Sequence, residues 1–354
     1  MSQQVLSIDF DITKESELGA DDLECIFIPL ETKEECLLSL SFDDIQFYDD
    51  KIFIVNSQNN MARVFVFSKE GDFITQIGKI GQGPGEYSQP YKLHINENKK
   101  IITIADRHLN KLIDYNLDSY KYISNKPIPF NYTQCIWLSD EQILWYSDGG
   151  LDTGKREWYY AWITDKEMDI TTTFGKTKPF NYLVGNTTVY KYRDQAYIGI
   201  PFSPYIYQMD TTNTTPVWKV SFGKQELPPE SLVVDERENN IAWTNRVIQS
   251  GYVYTFQVFE TSDWLGISFL DRQFHMGFYD KKNKTTHAYT IKKFMENFHL
   301  YGVYDIINTY NDYFVTRIAS QDLMKQNQQR ENLRLIAENM TEEDNPVLCL
   351  FKLK

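Results

Sequence analysis

The chain has 354 residues and a formal net charge of −13. This acidic balance excludes the usual mode of nucleic-acid binding, which depends on a basic patch against the phosphate backbone. Aromatic residues make up 15% and hydrophobic residues 42% of the sequence, a composition typical of a folded, sheet-rich chain rather than a disordered one. No apolar run approaches the length of a membrane-spanning helix.

The N-terminal region contains two short apolar segments, Val5 to Ile8 and Glu24 to Leu30. The first predicted repeat ends in a glycine-rich loop made of Gly81, Gly83, Pro84, Gly85, Glu86 and Tyr87. Glycines supply positive φ angles and proline fixes a turn, so we expect a structured connection here. A nucleotide-binding loop is disfavoured, because neither Lys-Ser/Thr nor an amphipathic helix follows the glycines.

Short strands recur along the chain with a period of about fifty residues. Each carries an aromatic residue just before a polar turn, and these anchors are Phe67, Tyr115, Trp162, Tyr207, Tyr279 and Phe351. The first three steps between anchors are nearly equal, and the last two are longer, which indicates six copies with two insertions. Four short strands in such a period are the signature of a propeller blade.

We therefore predict an all-β fold, a six-bladed β-propeller of four-stranded antiparallel blades forming one domain over residues 1–354. The blades are expected at about 40–79, 88–128, 132–176, 187–224, 252–293 and 302–354. The last blade has three strands of its own, so a strand within residues 3–30 should complete it and close the ring. One helix, from about Ser320 to Met340, should interrupt this blade between its second and third strands.

The long connections predict which face binds. In a propeller, loops between second and third strands and loops between blades emerge on one face, and every long connection here is of these kinds. They span residues 78–91, 146–158, 176–190, 224–252 and 317–345. Because loops vary while the sheets beneath them hold position, insertions gathered on one face usually mark the binding face.

Polar side chains after the second strands should surround the mouth of the central channel. The candidate ligand-binding residues of this kind are Asn56, Arg63, Asp106, Arg107, His108, Asp148, Arg272 and Arg317, and Trp158 is added as a flat surface suited to stacking a sugar or peptide. Arginines and carboxylates there could hold a polar ligand, or pair with one another as struts between blades.

No catalytic residue, metal ligand or cofactor is assigned from the sequence. The five histidines are scattered, and no Gly-x-Ser-x-Gly motif occurs. A calcium or zinc ion held by residues of separate blades stays open as an alternative. The cysteines Cys25, Cys36, Cys135 and Cys349 lack metal-site spacing and are expected to be free thiols. Cys25 and Cys349 would approach each other if the chain ends meet in one sheet, although a disulfide is not predicted.

Several motifs resemble known propellers. The segments Ile104-Ala105-Asp106 and Val66-Phe67-Ser68-Lys69-Glu70-Gly71 resemble NHL repeats. Together with the Gly-Pro-Gly-Glu-Tyr loop and the Asn345-Pro346-Val347-Leu348 ending, nearly the whole chain resembles the six-bladed propeller lipoproteins of Gram-negative gut anaerobes, with NHL-like and TolB-like blades. That resemblance implies a cell-envelope protein, periplasmic or in the outer membrane, that is lipid-anchored before its signal is removed. It implies no established activity.

The sequence thus favours a non-enzymatic binding or scaffold protein of the cell envelope. A protein, peptide or glycan would bind through the loop-rich face, with no nucleic-acid partner and membrane contact only through a removed lipid anchor. The alternative is a calcium- or zinc-dependent hydrolase or lyase with its site at the channel mouth.

Overall fold

The computed structural model describes residues 5–14, 16–57, 62–152, 157–177, 188–210, 213–233, 238–325 and 329–354. The chain divides into two compact units. Unit 1 comprises Met1–Gly19, Tyr132–Asn297 and Tyr304–Ile306, and unit 2 comprises Ala20–Asn131, Phe298–Val303 and Ile307–Lys354. The predicted start of the fourth blade at residue 187, and parts of four of the long connections, lie outside the described residues.

Short strands make up about half of the described chain. The first twelve are β1 (Leu6–Asp9), β2 (Leu23–Pro29), β3 (Asp44–Tyr48), β4 (Lys51–Asn56), β5 (Arg63–Ser68), β6 (Phe73–Gln76), β7 (Lys79–Ile80), β8 (Glu86–Tyr87), β9 (Pro90–Asn96), β10 (Ile101–Asp106), β11 (Lys111–Asn116) and β12 (Tyr122–Pro127).

The remaining strands follow the same pattern. They are β13 (Gln134–Ser139), β14 (Gln142–Asp152), β15 (Trp158–Asp165), β16 (Ile170–Thr177), β17 (Val189–Tyr192), β18 (Gln195–Gly199), β19 (Tyr205–Met209), β20 (Thr214–Ser221), β21 (Thr255–Glu260), β22 (Trp264–Leu270), β23 (Phe274–Asp280), β24 (Thr285–Thr290), β25 (Asn308–Tyr310), β26 (Tyr313–Ile318) and β27 (Val347–Leu353).

Unit 2 contains three four-stranded antiparallel sheets. Two are built from consecutive strands, β3 to β6 and β9 to β12, and the third has the order β2-β27-β26-β25. In the third sheet the N-terminal β2 pairs along its whole length with the C-terminal β27, from Leu23 opposite Leu353 to Pro29 opposite Val347. The chain's beginning therefore supplies the fourth strand of its last blade, which is the closure that the repeat pattern predicts.

Unit 1 also contains three sheets, β13 to β16, β17 to β20 and β21 to β24. The second of them carries a fifth strand, because β1 adds to β20 in parallel, with Leu6 opposite Trp218. This addition was not predicted. Phe10 follows β1 and is buried against Gly277, where a Cβ atom would lie 2.6 Å from the Phe10 ring. The glycine thus allows the ring to approach the backbone of β23 closely.

The core of each unit lies between neighbouring sheets. In unit 2, one cluster joins β4 and β5 to β9, β10 and β11 through residues such as Val55, Val64 and Ile104. In unit 1, another joins β19 and β20 to β21 and β22 through residues such as Ile206 and Ile267. Since both faces of a sheet are covered, second strands such as β4 and β10 are buried over almost their whole length.

Buried carboxylates also connect neighbouring sheets. In unit 2, the Asp44 carboxylate of β3 accepts hydrogen bonds from Lys92 Nζ at 2.7 Å and from the Leu93 backbone amide at 3.0 Å. In unit 1, the buried Glu260 carboxylate pairs with Lys281 Nζ at 2.7 Å and accepts a hydrogen bond from the Tyr190 hydroxyl at 2.7 Å. Burial and the neighbouring Glu260 charge raise the pKa of Tyr190 well above its ordinary value.

The helices are short: α1 (Asn240–Gln249), α2 (Ile291–Phe298), α3 (Ser320–Lys325) and α4 (Glu331–Ala337). The insertion between β26 and β27 is helical, but it forms α3 and α4 instead of the single predicted helix from Ser320 to Met340. Helix α1 was not predicted; it buries Trp243 and Val247 one turn apart on one face. Helix α2 was also missed and follows β24 directly, with Phe294 buried.

Candidate ligand-binding site

Asn56 and Asp106 occupy the same place in neighbouring sheets of unit 2, at the end of a second strand, and both are fully buried. The Asp106 carboxylate accepts hydrogen bonds from the backbone amides of Ser88 and Gln89 at 2.5 and 3.1 Å. Its other oxygen accepts from the backbone amides of His108 and Leu109 at 2.9 and 2.8 Å. This buried side chain therefore connects the turn before β9 to the turn after β10.

Asn56 has a corresponding role one sheet earlier. Its side-chain amide donates to Ser39 Oγ at 2.7 Å and to the Ser41 carbonyl at 3.2 Å. Arg317, at the end of β26, donates from Nε to the Leu40 carbonyl of the same segment. The structure thus brings two predicted ligand residues to the segment that precedes β3.

The other candidates of unit 2 are more exposed. Arg63 starts β5 directly opposite Asn56 and donates to the Ala62 carbonyl at 2.9 Å. The Arg107 guanidinium lies over the Tyr91 ring at 3.5 Å from its centroid, a cation–π contact that covers one face of the ring. The His108 side chain is exposed.

The glycine-rich loop of unit 2 is held by its own side chains. Strands β7 and β8 pair in parallel, and the Glu86 carboxylate accepts a hydrogen bond from the Gly83 backbone amide at 2.9 Å. Tyr87 is fully buried, and its hydroxyl donates to the Ile77 carbonyl at 2.9 Å and accepts from the Val64 amide at 3.2 Å. The loop connects two sheets of unit 2, and the polar groups of Glu86 and Tyr87 bind backbone groups of the loop and of neighbouring strands.

In unit 1, Asp148 and Trp158 lie on the β14–β15 hairpin. Its register shifts between Tyr146 and Leu151, after which Asp152 pairs with Trp158. The Asp148 backbone amide donates to Thr133 Oγ1 at 3.2 Å. Both candidate side chains are half-buried.

Arg272 lies in the turn between β22 and β23 and donates from Nη2 to the Gln249 carbonyl at 2.5 Å. Because Gln249 is the last residue of α1, the cation satisfies a carbonyl at the helix end that lacks an internal partner. At the N-terminus, Asn239 caps the same helix by accepting from the Ala242 amide at 2.9 Å. Arg246 holds the preceding segment through a bidentate pair with Glu238 at 3.0 and 2.9 Å.

A small cavity opens beside α1. It lies at the end of the unit 1 sheets where the β20–β21 connection and the β22–β23 turn are found. Its volume is about 70 Å³. Three segments form most of its wall: the turn between β18 and β19, the end of β20 with the connection after it, and the start of β21 with the two residues before it. Thr188, just before β17, adds to the wall. Apolar side chains dominate the lining, including Phe202, Phe222, Leu227, Val253 and Tyr254, and Glu226 and Ser203 add polar groups. An apolar recess of this size accommodates a small aliphatic side chain better than a whole drug-sized ligand.

The cavity wall is supported by a packed cluster. Trp243 and Val247 of α1 are fully buried with Tyr254, and Phe202 and Leu227 pack against them. The backbone amide of Val253 donates to the Gln225 carbonyl at 2.7 Å, which ties two of the three wall segments together. Burial raises the pKa of the Tyr254 hydroxyl, and the nearby Asp271 charge adds to this effect.

Phe202 has a strained backbone. Its φ is +60°, in the left-handed region that bulky side chains rarely adopt. Its ring packs edge-on against Trp243 with 5.4 Å between ring centroids. Strained residues persist where the surrounding structure holds them, and they are concentrated at ligand sites. Because this strained residue also lines the cavity, we treat this wall as a functional candidate.

Sequence reasoning did not predict the cavity, and Arg272 does not line it. Most of the lining residues come from three separated segments and carry no motif. A signal existed in Pro201-Phe202-Ser203-Pro204, since an aromatic residue between turn formers indicates a ring held on a tight loop. Among the described residues, no group of three or more His, Cys, Asp or Glu side chains is placed to hold a metal ion.

Each unit contains three sheets of four or five strands, and in one sheet of unit 2 the N-terminal strand β2 pairs with the C-terminal strand β27. This arrangement defines a six-bladed β-propeller. The chain belongs to the DUF5128 family, described as a 6-bladed beta-propeller, whose pattern it matches over residues 2–317. No curated protein matched the sequence. The family and the predicted all-β propeller fold agree.

Two solved structures are similar to this chain. A Bacteroides fragilis protein described as a candidate exported protein is 26% identical, with a TM-score of 0.90 over 99% of this chain and 100% of that one. A DUF4221 family member from Bacteroides vulgatus is 11% identical, with a TM-score of 0.60 over 95% of this chain and 99% of that one, and is similar in fold. Within the described residues, no helix is long and apolar enough to cross a membrane.

Proposed function

We propose that this protein is a non-enzymatic binding propeller of the bacterial cell envelope that recognises a protein or peptide. The observation that carries the proposal is the apolar cavity of unit 1, with Phe202 held in a strained conformation at its wall. A small aliphatic side chain of the ligand would fill the cavity, and the surrounding connections would contact the adjacent peptide.

The physical basis is that of an interface hot spot. A few well-packed apolar pockets supply most of the affinity of a protein interface, while the surrounding contacts mainly exclude water. The exposed Val233 and Ile241 side chains lie on the connection between β20 and β21, Phe274 is the first residue of β23, and all three offer further apolar surface. A peptide is favoured over a glycan because the rings line a small apolar recess, whereas sugars stack on open ring faces.

Export to the envelope is the second part of the proposal. It is supported by the Bacteroides fragilis relative and by the resemblance to propeller lipoproteins with NHL-like and TolB-like blades. A lipid anchor preceding the mature chain would place the propeller at a membrane surface without a spanning helix. Fractionation of cells that express the full-length precursor tests this location, and recovery only in the cytoplasm would contradict it.

A binding screen with two variants tests the proposed site. Peptide and glycan arrays should give peptide ligands with a small aliphatic residue, and Val253→Phe should fill the cavity and weaken binding at least about tenfold, or about 1.4 kcal/mol. Phe174→Ala serves as a matched control, because this half-buried ring packs on Tyr207 in the same unit but does not line the cavity. Glycan hits alone, or unchanged peptide affinity in a folded Val253→Phe variant, would refute the assignment.

A further inference from the structure

Two of the four cysteines meet where the N-terminal strand joins the C-terminal strand. Cys25 of β2 lies opposite Phe351, and Cys349 of β27 lies opposite Phe27. The two cysteines are therefore diagonal neighbours on one face of the β2–β27 pair, and their thiols share a hydrogen bond. The cysteines are 324 positions apart in the sequence, so only the strand pairing at the chain ends brings them together.

The two thiols have different environments. Cys25 lies on an edge strand and is half-buried, whereas Cys349 is fully buried. The hydrogen bond from Cys349 lowers the pKa of the Cys25 thiol, and the Arg330 guanidinium lowers it further. Burial raises the pKa of Cys349 well above its ordinary value. One accessible sulfur is thus favoured as the thiolate, beside a protonated partner.

Arg330 is held in place by backbone contacts. It precedes α4, and its Nε and Nη2 atoms donate to the Phe298 and Ala20 carbonyls at 3.0 and 3.1 Å. Because Ala20 lies just before β2, the same contacts fix the cation near the start of the strand that carries Cys25. A nearby cation and a shared hydrogen bond are features of reactive rather than inert cysteines.

We propose that Cys25 and Cys349 form a redox-active pair, in which Cys25 is the nucleophile and Cys349 the resolving thiol, and that their disulfide fastens the N-terminal strand to the last blade. The co-reactant is a small or protein disulfide, such as oxidised glutathione. The assignment rests on the strand register and the thiol contact, independently of the proposed peptide site.

The reaction balances as two thiol–disulfide exchanges. The Cys25 thiolate attacks one sulfur of oxidised glutathione, a mixed disulfide forms, and the first glutathione leaves as a thiolate. The Cys349 sulfur then loses its proton and attacks the Cys25 sulfur, and the second glutathione leaves. Two electrons pass from the cysteines to the oxidant, and the two cysteine protons end on the two released glutathione thiols.

The remaining cysteines provide a comparison within the chain. Cys36 is fully buried, its Sγ donates to the Glu31 carbonyl at 3.3 Å, and burial raises its pKa. Cys135 is also fully buried. Both should resist the oxidant while the protein is folded, because exchange requires an accessible thiolate.

The test uses the full chain incubated with oxidised glutathione, then alkylated, digested and analysed by mass spectrometry. The number of free thiols should fall from four to two, and a peptide linking Cys25 to Cys349 should appear. The oxidised protein should unfold about 5 °C or more above the reduced protein, since the bond closes a very long loop in the unfolded chain.

Variants separate the two sulfurs. Cys349→Ala should accumulate glutathione on Cys25, because the resolving thiol is missing, whereas Cys25→Ser should leave Cys349 unmodified. Cys36→Ser is the control and should still form the disulfide. Four free thiols in the folded wild-type protein after prolonged oxidation, or a linkage that includes Cys36 or Cys135, would overturn the proposal even if a variant failed to fold.

Discussion

Replacing Gly85 by valine should destabilise the glycine-rich loop, and the structure indicates why. Gly85 has a φ of +67°, and a Cβ atom there would lie 2.8 Å from Tyr122 Cβ and 3.0 Å from its Cγ. The Tyr115 hydroxyl also donates to the Gly85 carbonyl at 3.0 Å, so the backbone cannot turn away without losing a hydrogen bond. Both backbone conformation and space therefore require glycine.

The magnitude follows from these two costs. A left-handed conformation costs an L-residue about 1–2 kcal/mol, and displacing the Tyr122 ring adds about 1–2 kcal/mol. The expected loss is about 3 kcal/mol. With an unfolding entropy of about 2.1 cal/mol/K per residue, this loss lowers the Tm of the chain by about 4 °C.

Gly83→Val is the matched control in the same loop. Gly83 lacks a positive φ, and its added Cβ would lie 3.1 Å from Glu86 Oε2, the end of a flexible side chain. We expect less than half of the Gly85→Val effect when both are measured by thermal unfolding followed by circular dichroism. An unchanged Tm for Gly85→Val, or equal losses for the two variants, would refute the reasoning.

Three further predictions concern buried polar groups. Asp106→Ala should lower the free energy of unfolding, measured in urea, by about 3 kcal/mol because it leaves backbone amides unpaired. Asp50→Ala is the control: it removes the exposed Asp50–Lys69 pair and should lower it by less than about 1 kcal/mol. Equal losses for the two variants would contradict this prediction. Burial raises the pKa of Tyr87 to about 12, so the contribution of Tyr87 to the free energy of unfolding should be constant below pH 10 and fall by up to about 3 kcal/mol as the pH rises towards 12. The Tyr87→Phe variant should lose less stability than the wild type over that interval, and an identical alkaline loss would count against the account. Glu260→Gln should lower the free energy of unfolding by about 3–5 kcal/mol, because it leaves the Lys281 charge without its carboxylate partner. In a double-mutant cycle, adding Lys281→Met should recover part of that loss. A purely additive loss would exclude coupling between the two residues.

The architecture was predictable because each repeat carries the same local signal. A buried second strand and an aromatic residue in the third strand recur in every blade, so the repeat is recognisable although the loops differ in length. Elements outside the repeat were harder to predict. Strand β1 is short and exposed on one side, and its parallel pairing with β20 and the packing of Phe10 over Gly277 are long-range contacts that no local pattern reveals. Helix α1 is a single short amphipathic segment within a long connection.

The candidate site was only partly predictable, for a different physical reason. Sequence shows that Asn56 and Asp106 follow buried strands, but it cannot show whether a polar side chain faces a ligand or its own loop. In the structure these two bind neighbouring backbone, and their role as ligand residues stays a prediction. The cavity depends on packing between three distant segments and on the φ of Phe202. Both are properties of the folded chain alone.

Hydrogen–deuterium exchange with a selected peptide tests the central claim most directly, because it locates the bound ligand without any substitution. Binding should slow exchange of backbone amides in residues 199–204 and 253–256, which form the walls of the unit 1 cavity. Saturating peptide that leaves those amides unchanged and protects only residues of unit 2 would contradict the proposed binding site.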